Sequence, residues 1–227
     1  MILIDDIYQK VLALANKEQR GYITPQDFNL FANYAQMEIF EQYFYDINLA
    51  RKSQGNDTVY ADIDDMLEQK LQIFESSWDT SMPAFSMQEV YRLYEVLLDG
   101  VSCEIANTKD FTAALTQPML APTSSRPIAV IRGDQVVVAN GLNQLTVPTS
   151  ITFIRIPERV NWTYVVVNKK AMYNANVSTV NFELHRSEEV QLVNKILKLA
   201  GISNKQDDIM RAGQGMDMAN TQLQPKI

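Results

Sequence analysis

IAVIRGDQVVVANGLNQLTVPTSITFIRI, residues 128–156, is where the β signals of this chain are densest. Residues 128–132 and 135–139 flank Gly133-Asp134, the composition of a two-residue hairpin. Asn140-Gly141 offers a second turn before 142–147, and 151–156 alternates Ile, Phe or Ile, and Thr or Arg. Further strands are expected at 164–168 and 177–184. Several short strands with such punctuation predict a small antiparallel sandwich or sheet.

Upstream, 117–127 (QPMLAPTSSRP) holds three prolines and reads as an extended linker. Residues 107–115 read as a short helix, and 91–98 and 101–106 as strands about the turn pair Asp99-Gly100. A short turn or helix is expected near 86–92 after a break around Pro83. A third helix over 62–76 would turn Met66, Leu67, Leu71 and Phe74 inward, after a loop at 52–60.

The N-terminal part is helical by its periodicity. Ile4, Ile7, Val11 and Leu14/Ala15 form one stripe over 2–18, with Asp5 and Asp6 complementing the helix dipole. Thr24-Pro25-Gln26-Asp27 is the strongest start signal in the chain: Thr at the N-cap, Pro at N1, an acid at N3. The helix it opens, about 25–50, repeats Phe28, Phe31/Ala32, Ala35, Ile39, Tyr43 and Ile47 at helical spacing. Phe40, Phe44, Tyr34 and Tyr45 fall off that stripe, so the helix is apolar over more than one face. It either lies deep in a core or meets neighbours on two sides.

At the other end, Ser187 is expected to cap a last helix with Glu188 and Glu189 in its first turn. Val190, Val193, Ile196/Leu197 and Ala200 make its stripe, and Gly201 its stop. Residues 203–227 (SNKQDDIMRAGQGMDMANTQLQPKI) are polar, without a sustained apolar stripe, and cannot bury enough surface alone to offset their own entropy. They read as an extended arm that lies on a neighbour. The expected fold class is α+β: a helical region at 1–90, an antiparallel β-rich region at 91–186, and a late helix with an extended C-terminal arm at 187–227.

The bulk numbers narrow the function classes. The 227 residues are 46% hydrophobic and 21% charged, ordinary for a globular protein. A net charge of −7 argues against sequence-independent grip on DNA or RNA, which needs a basic face. It does not exclude a duplex sliding past without sticking. The lone Cys103 excludes an intramolecular disulfide framework and a Cys-rich zinc site. MILIDDIYQK has acids after four residues and is expected to be neither a signal peptide nor a membrane span. A reducing cytoplasm is the expected place of synthesis or assembly.

Chemistry-bearing patterns are sparse. His185 is the single histidine, at a strand-to-helix junction, with no Gly-x-Ser-x-Gly elbow to accompany it. Cys103 lies in the apolar run VSCEIA and reads as a small core hydrophobe. Asp62-x-Asp64-Asp65 resembles the start of a calcium loop, but Leu67 and Ile73 stand where that loop needs Gly and Glu. No phosphate-binding glycine motif is present. No catalytic residue, metal site or cofactor is expected. The expected sites are contacts: Phe31, Phe40, Phe44 and Tyr45 on the aromatic helix, for which core packing is the first reading and a subunit contact can hold beside it, and Ile209, Met210, Met216, Met218 and Leu223 as spaced anchors on the arm.

Three stretches, GYITPQDFNLFANYAQMEIFEQYFYD, IRIPERVNWTYVVVNKKAMYN and VNFELHRSEEVQLVNKILKLAGI, in this order resemble a family of virion structural proteins of tailed phages, particularly crAss-like and related phages infecting Bacteroidetes. The resemblance implies a head-to-tail connector protein, in a homo-oligomeric ring often of twelve copies. It further implies portal or other connector and tail proteins as neighbours, and double-stranded DNA in the lumen without specific binding. It implies a virion location after assembly in the host cytoplasm, no membrane, and no enzyme activity. The reading from another class is a cytoplasmic protein- or peptide-binding adaptor that acts as a monomer through an exposed sheet edge.

Overall fold

The computed structural model describes residues 1–17, 23–52, 58–142, 144–168, 170–175 and 178–203. In chain order the elements begin with helices α1 (Ile4–Lys17), α2 (Pro25–Lys52) and α3 (Thr58–Leu71). Strands β1 (Glu75–Asp79), β2 (Val90–Leu98), β3 (Val101–Ser102) and β4 (Glu104–Ile105) follow, then helix α4 (Thr108–Thr116). Next come β5 (Ile128–Arg132), β6 (Gln135–Gly141), β7 (Gln144–Thr146), β8 (Ser150–Arg155), β9 (Tyr164–Val167) and β10 (Lys170–Tyr173), and last α5 (Glu189–Ser203). The protein is α+β, with helices first, antiparallel-rich strands between and a late helix.

The chain forms two compact units, Phe74–Ile156 and a discontinuous one made of Met1–Ile73 with Pro157–Ile227. The linear division at 90 and 186 therefore differs from the grouping by contact. Local pattern groups residues by secondary structure, whereas Glu158, Val160, Trp162 and Glu183 are bonded to side chains of α2.

In the β unit, two four-stranded sheets, ordered β1-β8-β2-β3 and β4-β5-β6-β7, face each other. Val96, Leu98 and Ile151 from one sheet meet Ala129, Val136 and Val138 from the other, with Cys103 at the crossing between them. Burial of these apolar side chains is what drives the two sheets together. The helix α4, capped by the Asn107 side chain on the Asp110 N–H at 2.9 Å, covers the outer face of the second sheet with Phe111 against Val130 and Ala139. All strand pairings are antiparallel except β4 with β5.

Two turns follow their sequence chemistry. Asp99 and Gly100 both take positive φ (50° and 81°), as a type I′ turn requires, and join β2 to β3. Gly133 alone takes positive φ (61°) between β5 and β6, the type II′ pattern. Asp134 beside it accepts from the Met87 N–H at 2.8 Å, tying the hairpin to the 3-10 turn Met87–Glu89.

Several local expectations are corrected. Asn140-Gly141 is no turn: both lie in β6, Gly141 pairs with Gln144, and a register shift falls between Ala139 and Gly141. The 62–76 helix ends at Leu71, because the chain turns into β1 to pair with β8, and Met66 is 58% exposed instead of inward. Among the described residues of 177–184 there is no strand, only the isolated bridges Asn161↔Val180 and Ile2↔Phe182. The partner of β9 is KAMY at 170–173. The 117–127 linker contains a 3-10 turn, Pro118–Leu120. Ser187 lies inside a 3-10 turn, Arg186–Glu188, that His185 caps by accepting the Ser187 N–H; the last helix starts after it at Glu189 and runs past Gly201 to Ser203. Val193, Ile196, Leu197 and Ala200 are buried as the stripe predicts, whereas Val190 is exposed and Leu192 is fully buried.

Candidate functional site

The helical unit is built around a ladder of amides on α2. Thr24 accepts the Asp27 N–H at 3.1 Å, as its N-cap position predicts, and fixes where α2 begins. Asn29, Asn33 and Gln36 then share one face at helical spacing. Asn33 donates to the Val160 carbonyl at 2.9 Å and Gln36 to the Glu158 carbonyl at 2.8 Å. Asn29 accepts the Trp162 N–H at 2.8 Å. Asn161 pairs with Val180 in an isolated bridge, and the α2 side chains satisfy backbone groups of Glu158, Val160 and Trp162 on either side of it.

The ladder delivers Trp162, 1% exposed, to the base of the β9–β10 hairpin. Its indole N–H donates to Asp5 at 2.9 Å. Its ring lies 4.0 Å from that of Tyr8 and stacks on Tyr164 and Tyr173, centroids 5.6 and 6.0 Å away. Beyond this anchored base the hairpin stands out. Val165, Val166, Val167 and Met172 are all exposed, Val166 by 67%. Among the described residues neither β9 nor β10 has a further strand partner. Side chains alternate between faces, so Val165, Val167, Met172 and Lys170 share one face and Val166 and Ala171 the other, with Tyr164 and Tyr173.

The contact residues expected on α2 separate. Phe40 is fully buried and is withdrawn as an interface residue: the helix turns it to the core, where its ring meets Phe44 edge-on at 5.2 Å. Phe31 and Phe44 are half-buried, and Tyr45 is 63% exposed. Sequence reading missed the partners of Tyr45 on the outward face. Leu30, Tyr34, Tyr45 and Leu49 are all exposed, and at 100° per residue they fall within an arc of about 100°. Their i, i+4, i+15, i+19 spacing was visible in the sequence, but the stronger Phe28-to-Ile47 stripe masks it. Ile209, Met210, Met216, Met218 and Leu223 lie outside the described residues.

A charge cluster sits inside the same unit. Glu188, nearly buried, receives Lys70 Nζ at 2.5 Å, and Lys70 lies over the Tyr43 ring, 5.6 Å from its centroid. The Tyr43 hydroxyl is buried without a hydrogen-bond partner, close enough to Glu188 to feel its charge but outside hydrogen-bond geometry. Burial first, then the Glu188 and Asp46 charges, hold that phenol protonated far above its ordinary range. Buried Lys195 bonds Glu38 at 2.6 Å. Burial likewise raises the Asp46 carboxyl, against the opposing pull of Gln42 and Lys70.

The sign of the Asp46 effect follows. A raised carboxyl makes the native state bind its proton at higher pH than the unfolded chain does. Stability is therefore lost as pH rises from the unfolded value, about 3.9, through the folded one. Asp46→Asn, which keeps an acceptor for Gln42, is expected to raise Tm at pH 7, and the gain is expected to shrink as pH falls below 4. Thermal melts at the two pH values check this; an equal gain at both would remove the linkage.

Elsewhere the chemistry is occupied. His185 Nδ1 serves the turn before α5, and Cys103 is buried in the sandwich, which raises its thiol pKa. A cleft of about 300 Å³ in the β unit is lined by Glu104, Asp110, Met119, Leu120 and Arg126, but Arg126 is paired with Glu104 at 3.0 Å and Asp110 with Asn107 at 2.6 Å. Among the described residues no group of three His, Cys, Asp or Glu side chains is placed to hold a metal, and no helix is long and apolar enough to cross a membrane. No protein-family model matches the chain, and no curated protein shows significant similarity to it.

Proposed function

We propose that this chain is a virion structural protein whose copies close a ring in the head-to-tail connector of a tailed phage, with portal or tail proteins above and below and DNA passing through the lumen. No reaction is assigned to it. The observation that carries the reading is the outward face of α2. One helix supplies Phe28, Ala35, Ile39 and Phe40 to its own core and still offers Leu30, Tyr34, Tyr45 and Leu49 to solvent. Exposed aromatics grouped in this way are what subunit contacts are made of. The resemblance of residues 2–202 to connector-type virion proteins points the same way, and heterologous contacts that close by rotation give a ring. The acidic net charge suits a lumen that does not hold phosphate.

Symmetry and copy number from electron microscopy of intact particles, with the chain located by its density, test the reading. A full-length chain that is absent from virions and strictly monomeric would end it. Tyr34→Ser with Tyr45→Ser is expected to leave the fold intact, since both rings are exposed, and to lower the assembled fraction by at least tenfold in light scattering or sedimentation. The adaptor reading draws support from β7, an edge strand of its sheet with Leu145 exposed and Leu142 exposed in the turn before it. It would be favoured by a chain that stays monomeric and captures extended peptides at that edge.

A further inference from the structure

We propose that β10 of one copy adds antiparallel to the open edge of β4 of the next, with Ala171 opposite Ile105. The inference rests on the oligomeric reading above and names a contact between neighbours in the ring. Among the described residues both strands end their sheets, β10 in the two-stranded hairpin and β4 in the order β4-β5-β6-β7. An open strand edge pairs readily with another chain.

The hydrogen-bonding direction of each edge selects the register. The Glu104 and Ala106 N–H groups donate to the Pro127 and Ala129 carbonyls at 3.0 and 2.9 Å. Backbone groups alternate in direction along a strand, so those of Ile105 point away from β5, to the open edge. In the hairpin the Asn174 N–H donates to the Thr163 carbonyl at 3.1 Å. With the β9–β10 register, this turns the backbone groups of Lys170 and Met172 to β9 and those of Ala171 to the open edge. Ile105 and Ala171 can therefore exchange both hydrogen bonds of an antiparallel pair. Lys170 then falls opposite Ala106, and Met172 opposite Glu104.

The side chains suit the same register, and their charge selects the occupant. Glu104 and Ala106 both line the cleft of about 300 Å³, and Lys170 and Met172 share one hairpin face, so all four lie on the cleft side. The charged residues lining the cleft are Glu104, Asp110 and Arg126, one carboxylate in excess. Lys170 is the one charged residue in β9 and β10, on a chain whose net charge is −7. Diagonal neighbours on adjacent strands lie about 7–8 Å apart, within reach of a long side chain, so Lys170 meets Glu104 across a single strand spacing. Glu104 is 57% exposed and has room for a second cation beside Arg126. Met172, itself exposed, comes over the cleft where Ala114 and Leu120 supply apolar wall, and its flexible thioether suits an irregular hollow. On the other face Ala171 covers the exposed Ile105. Presenting β9 instead would set its valines against the cleft residues and hold Lys170 one strand further off. Two different surfaces of one chain meet in this contact, so it is heterologous and can propagate round a ring.

The test uses full-length chains checked for native circular dichroism. One population carries Ile105→Cys and the other Ala171→Cys; Cys103 is buried, and each population alone supplies the baseline. After the two are mixed and assembled at low salt, a short bis-maleimide is expected to give a cross-linked heterodimer. Its yield should fall at least threefold with Lys170→Glu in the hairpin chain or Glu104→Lys in the cleft chain, and return when both are present. Independently of any substitution, the Ile105 amide of the wild-type chain should exchange with solvent more slowly in the assembly than in the dissociated chain. No heterodimer, one indifferent to both charge reversals, or one formed only within a doubly substituted chain overturns the proposal, as does an Ile105 amide unprotected in the assembly. If wild-type chains still sediment as an assembly in that case, the ring reading stands and this contact alone fails; if they sediment as monomers, the ring reading fails with it.

Discussion

Trp162→Ala is expected to destabilise the protein by about 3–5 kcal/mol, the range for truncating a fully buried aromatic to Ala. The indole is 1% exposed and touches three separate elements. Truncation removes the ring between Tyr8 and the hairpin tyrosines and leaves the Asp5 carboxylate without its indole donor. Asn29, Asn33 and Gln36 would still hold the backbone of 158–162, so the loss is mainly of packing. Trp162→Phe keeps one aromatic ring but loses the N–H together with part of the indole volume, and should cost less than the Ala variant, about 2–3 kcal/mol. Urea denaturation of both variants measures this. A Trp162→Ala cost below about 1 kcal/mol would mean that the hairpin base is not part of the core.

Lys70→Met is expected to cost about 2–3 kcal/mol, because among the described residues it leaves the nearly buried Glu188 with the Ser187 hydroxyl, at 3.2 Å, to answer its charge. The figure sits toward the low end because Lys70 itself retains about a fifth of its side-chain exposure. Adding Glu188→Leu should recover most of the loss, since removing both partners of a buried pair is commonly neutral while removing one is not. A double-mutant cycle in chemical denaturation checks the coupling. Additive costs would show that the two side chains act independently in the folded protein.

Helices were the most legible part of the chain. Thr24-Pro25-Gln26-Asp27 fixes the start of α2 because capping is a local reaction between residues three apart, and Asn107 caps α4 in the same way. Asp99-Gly100 and Gly133-Asp134 were legible as turns for a similar reason: the φ > 0 they require is a property of one or two residues. Where such signals conflict with pairing, pairing prevails. Asn140-Gly141 has turn chemistry, yet it continues β6 because Gly141 finds a partner in Gln144. The third helix yields to a strand at Glu75 because β8 lies ready beside it.

The candidate site was legible only in part. Tyr45 was found as an exposed aromatic, whereas Phe40, four residues away on the ring-bearing side of the helix from Phe44, was not separable from it by periodicity. Both lie off the main stripe, and only tertiary packing decides which ring is covered. The amide ladder and Trp162 left no pattern strong enough to read, because each links residues more than a hundred positions apart.

By itself the sequence determined the helix starts, the tight turns, the alternation of helical and β-rich stretches, and the acidity of the whole, all of which depend on neighbouring residues or on composition. Tertiary structure decided the pairing of sheets, the return of 157–184 to the helical unit, the pairing of Lys70 with Glu188, and which aromatic and valine side chains remain in solvent. Those are settled by contacts between distant segments, where the gain from burial outweighs local preference and leaves no periodic trace.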